Sequence, residues 1–592
     1  MATTAGRDSE SRGKYKVLGT RPGRQDAADK VTGGAKFGAD INMAGLLHGK
    51  ILRSPHAHAR VRSIDTSRAE ALPGVAAVAT AKDFPIIQDR SIDFSDIRGN
   101  ARVAAENVLA NDTVFYVGHA VAAVAATSPH VAEQALSLIE VDYEVLPAVL
   151  TLHDALKEDA PLLHDDMTTR FRVERFASGD DTGEKSNVAG HIQHKLGDVE
   201  KGFLEADVVV EREFHTQSVH QGYIEPQAST AFWGADGRVT IWTSTQGVFA
   251  TRTSTSAILG LPESMVRVVP MEIGGGFGAK SVTYLDAVAA VLSRKSGRPV
   301  KIVMSRKEVF VGCGPASATY MRAKIGATRD GRITSGYHHL AYEAGAYPGS
   351  AVGGGAMTSL APYKIENLLV DGYDVVCNKQ KVSGYRAPGQ PQATFAVESV
   401  IDELAEKLGM DPIELRLKNA VKEGDRMPNG VQHSRFGCRE VEEAMKAHPH
   451  YNAPLEGPNR GRGVAVAFRW QGGQVSSATI NVNSNGSISL TTGSMDLSGT
   501  RTTVAMQAAE VLGLGVEDVT SNVADTDTVG YTGNSGGSRI TFDTGLAAIA
   551  VAEEVKKQMG ARAALLWEVQ AEDVEFKDAT FICTKNPADR IT

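Results

Sequence analysis

The polar groups best placed to do chemistry in this chain sit in four glycine-rich loops. The densest is Gly274-Gly275-Gly276-Phe277-Gly278-Ala279-Lys280, which follows the strand-like run VRVVP and precedes a helical pattern. A loop of this composition lets backbone N–H groups face an anionic or oxo ligand with no side chain in the way, and a helix N-terminus behind it adds a favourable dipole. It matches the dinucleotide fingerprint G-x-G-x-x-G/A. The next strand-like run, VKIVM, ends in Ser305-Arg306-Lys307 and lacks the acidic residue that holds an NAD ribose, so only an NADP-dependent dehydrogenase stays open on that reading. A Walker A loop does not, because Ala279 stands where glycine is needed before Lys280. A plain tight turn remains open. The other three loops are Thr245-Gln246-Gly247, Gly384-Tyr385-Arg386-Ala387-Pro388-Gly389 and Gly533-Asn534-Ser535-Gly536-Gly537-Ser538-Arg539. A nicotinamide site needs one phosphate cradle, whereas a large phosphorylated cofactor needs several from separate segments, and four loops favour the latter.

Other candidates for chemistry are weaker. Cys313, Cys377, Cys438 and Cys583 are far apart, with no C-x-x-C pair. Isolated buried thiols are expected, and iron–sulfur or zinc sites on this chain are not. His56 and His58 could share one face of a strand as metal ligands, but no third ligand stands near them in sequence, so hydrogen-bonded or surface histidines are expected.

The elements that must position these loops belong to a multidomain chain. At 592 residues it exceeds what one hydrophobic core sustains, and two to four domains are expected. Hydrophobic residues at 42% and charged residues at 22% are ordinary for a globular protein, so the 60 glycines serve turns and close approaches. A net charge of −8 gives no footprint for nucleic acid or an anionic membrane. The longest apolar runs, such as 120–126 and 546–552, fall well short of a membrane span, and the opening MATTAGRDSESRGKYK has no signal-peptide core. No membrane span and a cytoplasmic location are therefore expected.

Along the chain, 1–27 reads as an N-terminal extension and 28–150 as one α+β domain. In the latter, Ser128-Pro129 starts a helix that runs into the strand-like VDYEVLPAVL. Residues 151–200, rich in Asp, Gly, Ser and Thr, read as a connection over the surface. Region 201–450 alternates strands and amphipathic helices. Leu285, Val288, Ala289 and Leu292 repeat at helical spacing before Gly297, and so do Val397, Ile401, Leu404 and Leu408 before Gly409. Region 451–592 offers strands ATINVN and SISLTTG and helices near 504–512 and 544–558.

In order along nearly the whole chain, DKVTGGAKFGADI, LLHGKILRSPHAHARVRSIDTS, ALPGV, GDVEKGFLEADVVVE, YIEPQA, TSTQGVF, IGGGFGAK, GYRAPG and LGMDPIELRLKN resemble the large subunit of the xanthine oxidase family of molybdenum hydroxylases. The resemblance implies an α+β chain: an N-terminal α/β hammerhead domain, then two molybdenum-cofactor-binding α+β domains (201–450 and 451–592), the second incomplete. The implied cofactor is molybdopterin with molybdenum, in its cytosine dinucleotide form for a bacterial enzyme, and no side chain of this chain ligates the metal. Gln246, with Gly247, would hydrogen-bond a ligand of the metal. Gly276, Phe277 and Gly278 would present backbone to its oxo group. Arg386 would lie beside pterin and metal, Ala387 would face the substrate, and Gly537, Ser538 and Arg539 would hold the pterin or its phosphate. Carbon monoxide dehydrogenases have cysteine where Ala387 stands; purine oxidases have Phe and Glu where Pro388 and Ser281 stand. CO and xanthine are thus disfavoured against an aldehyde or an aromatic N-heterocycle, hydroxylated with oxygen from water.

Two departures stand out. In the run Asp496-Leu497-Ser498-Gly499-Thr500-Arg501, Gly499 replaces a glutamine that contacts the cofactor in the family, leaving Ser498 or Thr500 to supply a donor. The family's catalytic Gly-x-Gly-Glu motif does not occur in these residues, so the expectation is either a truncated product or a second molybdopterin-binding chain supplying the glutamate. The resemblance further implies an iron–sulfur subunit with [2Fe–2S] clusters and an FAD subunit to carry electrons away. A noncatalytic assembly subunit that keeps the fold without the base is the remaining alternative.

Overall fold

The computed structural model describes residues 15–89, 91–93, 98–174, 179–469 and 472–592. Two seven-stranded sheets and a three-stranded sheet carry the four glycine-rich loops. The first runs in the order Val266–Pro270, Val239–Thr243, Ala228–Trp233, Val300–Val303, Leu47–Arg53, Ala120–Ala126, Val75–Thr80. Its inner strand Ala120–Ala126 reads as an unbroken apolar run because both of its faces are covered. Ala120–Ala126 is buried at every position, and helix Asp286–Ser296 packs across the sheet with 287–292 buried throughout. Strands from 28–150 and 201–450 thus share one layer: Leu47–Arg53 pairs in parallel with Val300–Val303, so the first region is not closed off as a sheet of its own.

The second sheet runs Asp180–Lys185, Thr168–Arg172, Val188–Leu196, Asn367–Val376, Ile333–Gly345, Thr319–Ala327, Val208–Thr216. Helix Gln390–Leu408 lays Val397, Ile401 and Leu404 into the same core as Met321, Ile325 and Leu340. This corrects the reading of 151–200 as a surface connection, since three of these strands come from it. Val188–Leu196 buries Ile192 in one core and Ala189, on its other face, in a second, and its pairing with Asn367–Val376 supplies the backbone partners that a loop would have to find in water.

The third sheet, Ala478–Val482, Ile488–Thr492 and Val519–Val523, is backed by helices Thr500–Leu512 and Ile540–Leu566 through Leu490, Val504, Ala508 and Ala548. Both helices are longer than their apolar periodicity indicates. The first begins at Thr500 because the Asp496 carboxylate accepts the N–H groups of Ser498, Gly499, Thr500 and Arg501. The second continues through Gly545, which packs directly against Gln507. The N-terminal segment lies on this region too. The N–H groups of Lys16, Val17 and Leu18 donate to Glu510 at 3.0, 2.7 and 3.0 Å, and the Gln25 amide bridges Val519 and Ser521.

Other helices begin and end where their caps lie in the sequence. Ser128 caps Pro129–Leu136 by accepting the Val131 N–H, and Gly297 and Gly409 end their helices in the left-handed conformation. Among the described residues no helix is long and apolar enough to cross a membrane.

Three buried histidines give the fold an acid-sensitive core. Burial lowers the pKa of His338 to about 3 and those of His119 and His194 to about 4. In the unfolded chain each titrates near 6.5, so the unfolded state takes up protons first. Their contribution is therefore complete above pH 6.5 and is lost as pH falls. We expect the unfolding free energy to drop by up to about 4 kcal/mol per pH unit below pH 6, roughly 1.4 kcal/mol for each histidine. Urea unfolding across pH 7 to 5 measures this slope. His338→Gln should make it shallower by one proton, and an unchanged slope in that variant contradicts the assignment.

Candidate functional site

The four glycine-rich loops meet: three are joined at Gln246, and the fourth docks on Phe277 and Gly278. Its side chain is buried; its Oε1 accepts the Gly278 N–H at 2.8 Å and its Nε2 donates to the Ser535 carbonyl at 2.8 Å. Its main chain repeats the link, with Gln246 N–H donating to Lys280 O and Ser535 N–H to Gln246 O. On the other side, the Arg386 N–H donates to Phe277 O at 2.8 Å. Two glycines permit this approach. A Cβ on Gly247 would overlap the Asn534 side chain, and one on Gly278, whose φ is +115°, would overlap the Gly384 carbonyl.

Strain concentrates here. Of the eight non-glycine residues with positive φ among those described, four lie in these loops: Phe277, Arg386, Ala387 and Ser538. Such conformations persist only where the surroundings over-determine them, and they mark ligand clamps and catalytic sites. Phe277 stands at the loop's apex with its ring half-exposed. The N–H groups of Gly276 and Phe277 donate to no protein acceptor among the described residues, so they remain available to a ligand.

Some residues singled out in the sequence have other work. The Arg539 guanidinium is buried, and its N–H groups donate to Asp543, Gly533 O, Asn534 O, Val475 O and Ser476. It shapes the 533–539 loop from within, and those donors are not turned toward a phosphate. Gly499 and Thr500 are also corrected, whereas Ser498 keeps an exposed hydroxyl. The N–H groups of all three and the Thr500 hydroxyl are committed to Asp496. A Cβ on Gly499 would lie 2.6 Å from Arg24 Nε, so the absent glutamine side chain is replaced in space by Arg24 of the N-terminal segment. Although burial opposes it, the Thr500 N–H and the Arg501 guanidinium hold the Asp496 carboxyl below the usual carboxylate range.

The dinucleotide reading fails on topology. The glycine-rich loop leads into a short 3-10 turn, Ala279–Ser281, and the helix begins only at Asp286, so no helix N-terminus faces the loop. Strand Val300–Val303 is separated from Val266–Pro270 by two others, whereas a βαβ phosphate site needs the two side by side or one apart in parallel. His58 Nδ1 lies 2.6 Å from Pro147 O and its ring stacks on Phe115, while His56 packs edge-on against Tyr143. All four cysteines are free, three of them buried. Among the described residues no group of three or more His, Cys, Asp or Glu could hold a metal ion.

Glu225, in the run YIEPQA, carries no sequence signal of its own. Glu225 Oε2 accepts the Gly274 N–H at 2.8 Å and pairs with the Lys280 ammonium at 2.5 Å. Burial pushes the Lys280 pKa down against the opposing pull of Glu225. The signal available was Lys280 itself, a cation closing a glycine run that has to be paired if it is buried.

Comparison with known proteins identifies what this arrangement belongs to. Residues 32–147 match the aldehyde oxidase and xanthine dehydrogenase a/b hammerhead domain, and 181–420 and 440–591 each match a molybdopterin cofactor-binding domain. A probable xanthine dehydrogenase subunit of Bacillus subtilis (strain 168) is 32% identical over 88% of this chain and 68% of its own length. The chain belongs to the xanthine oxidase family of molybdenum hydroxylases, as a molybdopterin-binding large subunit. The nicotinate dehydrogenase large molybdopterin subunit of Eubacterium barkeri is 32% identical over 70% of this chain and 92% of its own. Quinoline 2-oxidoreductase from Pseudomonas putida 86 superposes with a TM-score of 0.82 at 27% identity, over 98% of this chain and 75% of the other.

The molybdenum hydroxylase loops fit their cofactor on their own chemistry. They offer uncommitted N–H donors to a phosphorylated, oxo-bearing group, and the carboxylates of Glu225 and Asp496 are already satisfied by protein donors. The close approach at Gly278 is required for this. We expect Gly278→Ala to cost roughly 2–5 kcal/mol in the cofactor-free protein, from strain and overlap together. Gly297→Ala, at φ +66° with nothing within 4 Å, should cost only about 1–2 kcal/mol. Parallel urea unfolding of the two variants measures the difference, and equal losses would show that the Gly278–Gly384 contact is not a tight one.

Proposed function

We propose that this chain holds molybdopterin for the hydroxylation of an aldehyde or an aromatic N-heterocycle, with the inserted oxygen taken from water. The observation that carries the reading is the convergence of four loops, three of them joined at Gln246 and the fourth docked on Phe277 and Gly278. Bound molybdenum would supply the Lewis acidity that makes a water-derived nucleophile available near neutral pH, together with the capacity to accept the substrate's electrons.

The residues of this chain hold and orient. With one Gln246 N–H committed to Ser535 and its carbonyl to Gly278, the amide cannot rotate, and its second N–H is presented in a fixed direction toward a ligand of the metal. The Gly276 and Phe277 N–H groups provide further donors, and the backbone around Arg386, Gly537 and Ser538 would line the pterin. Phe277 and Ala387 border the substrate side, where the small side chain at 387 and the absence of an aromatic at 388 leave room for a planar ring. The named activities of the nicotinate and quinoline relatives support an N-heterocycle.

The finer assignments follow the same reading. They are the cytosine dinucleotide form of the cofactor, an iron–sulfur subunit with [2Fe–2S] clusters, an FAD subunit, a second chain bringing the Gly-x-Gly-Glu base, and assembly in the cytoplasm. A relative described as a large molybdopterin subunit, matched over 92% of its length, supports the divided arrangement.

Native purification with companion chains tests this. Expected are stoichiometric molybdenum, a companion carrying Gly-x-Gly-Glu, and label from isotopic water in the oxidised product. Gln246→Leu, which removes both junction bonds along with the donor, should lower the molybdenum content and also cut kcat per bound molybdenum about 10²- to 10³-fold, the usual cost of a preorganised donor. Finding neither molybdenum nor such a companion would leave a noncatalytic relative and end the proposal.

A further inference from the structure

Both ends of the glycine-rich loop are tied to one carboxylate. Glu225 Oε2 receives the Gly274 N–H at 2.8 Å and the Lys280 ammonium at 2.5 Å, while its Oε1 faces the Gly38 N–H at 3.4 Å. The Lys280 side chain is fully buried and that of Glu225 nearly so. The ammonium also stands over the Tyr223 ring, 5.1 Å from its centre. The segment bearing Glu225 is itself clamped, since the Arg306 guanidinium donates to Tyr223 O at 2.8 Å and Ile224 O at 2.5 Å.

From Lys280 the tie passes to the cofactor side. Its carbonyl accepts the Gln246 N–H at 2.9 Å and the Thr245 hydroxyl at 3.2 Å, and Gln246 Oε1 in turn holds the Gly278 N–H. Glu225, Lys280, Gln246 and Gly278 therefore form a connected circuit around the loop, whose Gly276 and Phe277 N–H groups have no protein acceptor among the described residues. A buried ammonium that lost its partner would have to be neutralised or find water, and either way the loop's far end would shift.

We infer that Glu225 and Lys280 are positioning residues, setting the direction of the Gly276 and Phe277 donors and of Gln246 toward molybdopterin without touching it. This rests on the hydroxylase reading above. One carboxylate oxygen serves both loop ends, so reach matters as well as charge. Aspartate keeps the charge but is too short to hold Gly274 and Lys280 together.

The test uses the loaded complex, purified with its companion chains, as wild type and as Glu225→Asp, Glu225→Gln and the double variant E225Q/K280M. Molybdenum released from the folded protein on dialysis, the melting temperature, kcat and KM are measured for each. Both single variants should retain the cofactor about 10- to 100-fold less tightly, the usual cost of losing a group that orients a ligand. In both, kcat should fall while KM moves less than about twofold. The double variant, which removes the unpaired charge, should recover the melting temperature but not the retention. If Glu225→Gln does not fold, Glu225→Asp decides. Wild-type retention and kcat in Glu225→Asp, or recovery of both stability and retention in the double variant, would reduce the pair to an ordinary structural ion pair. A wild-type complex without molybdenum would sink the hydroxylase reading and this inference with it; a loaded, active wild type with unaltered variants would sink this inference alone.

Discussion

Everything at the site depends on the two hydrogen bonds of one buried amide. Gln246 reaches Gly278 in one direction and Ser535 in the other, and so joins loops that belong to different sheets. Each bond contributes only about 1 kcal/mol net to stability, but a buried amide left unsatisfied costs about 1–3 kcal/mol for each group. The asymmetry makes the junction close to all-or-none: the loops are either assembled around Gln246 or separated by enough space for water to enter. A site that must present several N–H groups to one ligand gains rigidity from such a junction at little cost in mean stability.

A second set of contacts works through charge. Asp26 is bound by Arg24 and Lys30, Lys30 approaches Glu272, and Glu272 pairs with Arg501, which also holds Asp496. Isolated surface pairs of this kind contribute little, but a continuous partly buried network restricts the relative motion of its members. This one runs from the N-terminal segment to the strand end that feeds the glycine-rich loop. The circuit through Glu225 and Lys280 anchors that loop from the opposite side.

Elements with strong local signals were legible in the sequence. Ser128-Pro129 starts a helix and Gly297 and Gly409 stop helices because caps act on their immediate neighbours. The four loops, too, were marked by composition alone. What could not be seen locally was decided by distant partners. The strand at 188–196 hides in a polar stretch because its partner lies beyond 360, and the strands at 168–172 and 180–185 join the sheet only through it. Gly499 looks like a lost contact until Arg24 is seen in its place, and Arg539 looks like a phosphate ligand until its backbone acceptors are counted. Glu225 was concealed for the same reason, since its importance lies in two partners some fifty residues downstream.

The seat of the N-terminal segment on Glu510 has a consequence for how the molecule is made. Lys16, Val17 and Leu18 find their acceptor only once the helix Thr500–Leu512 exists. A ribosome adding roughly 5–20 residues each second needs about 25–100 s to reach that point, and for all of it the first residues have no place to dock. The Ser535 partner of Gln246 is synthesised later still. Cofactor capture is thereby deferred until residue 535 has been made, and a nascent chain halted before it would hold half a cradle with nothing to close it.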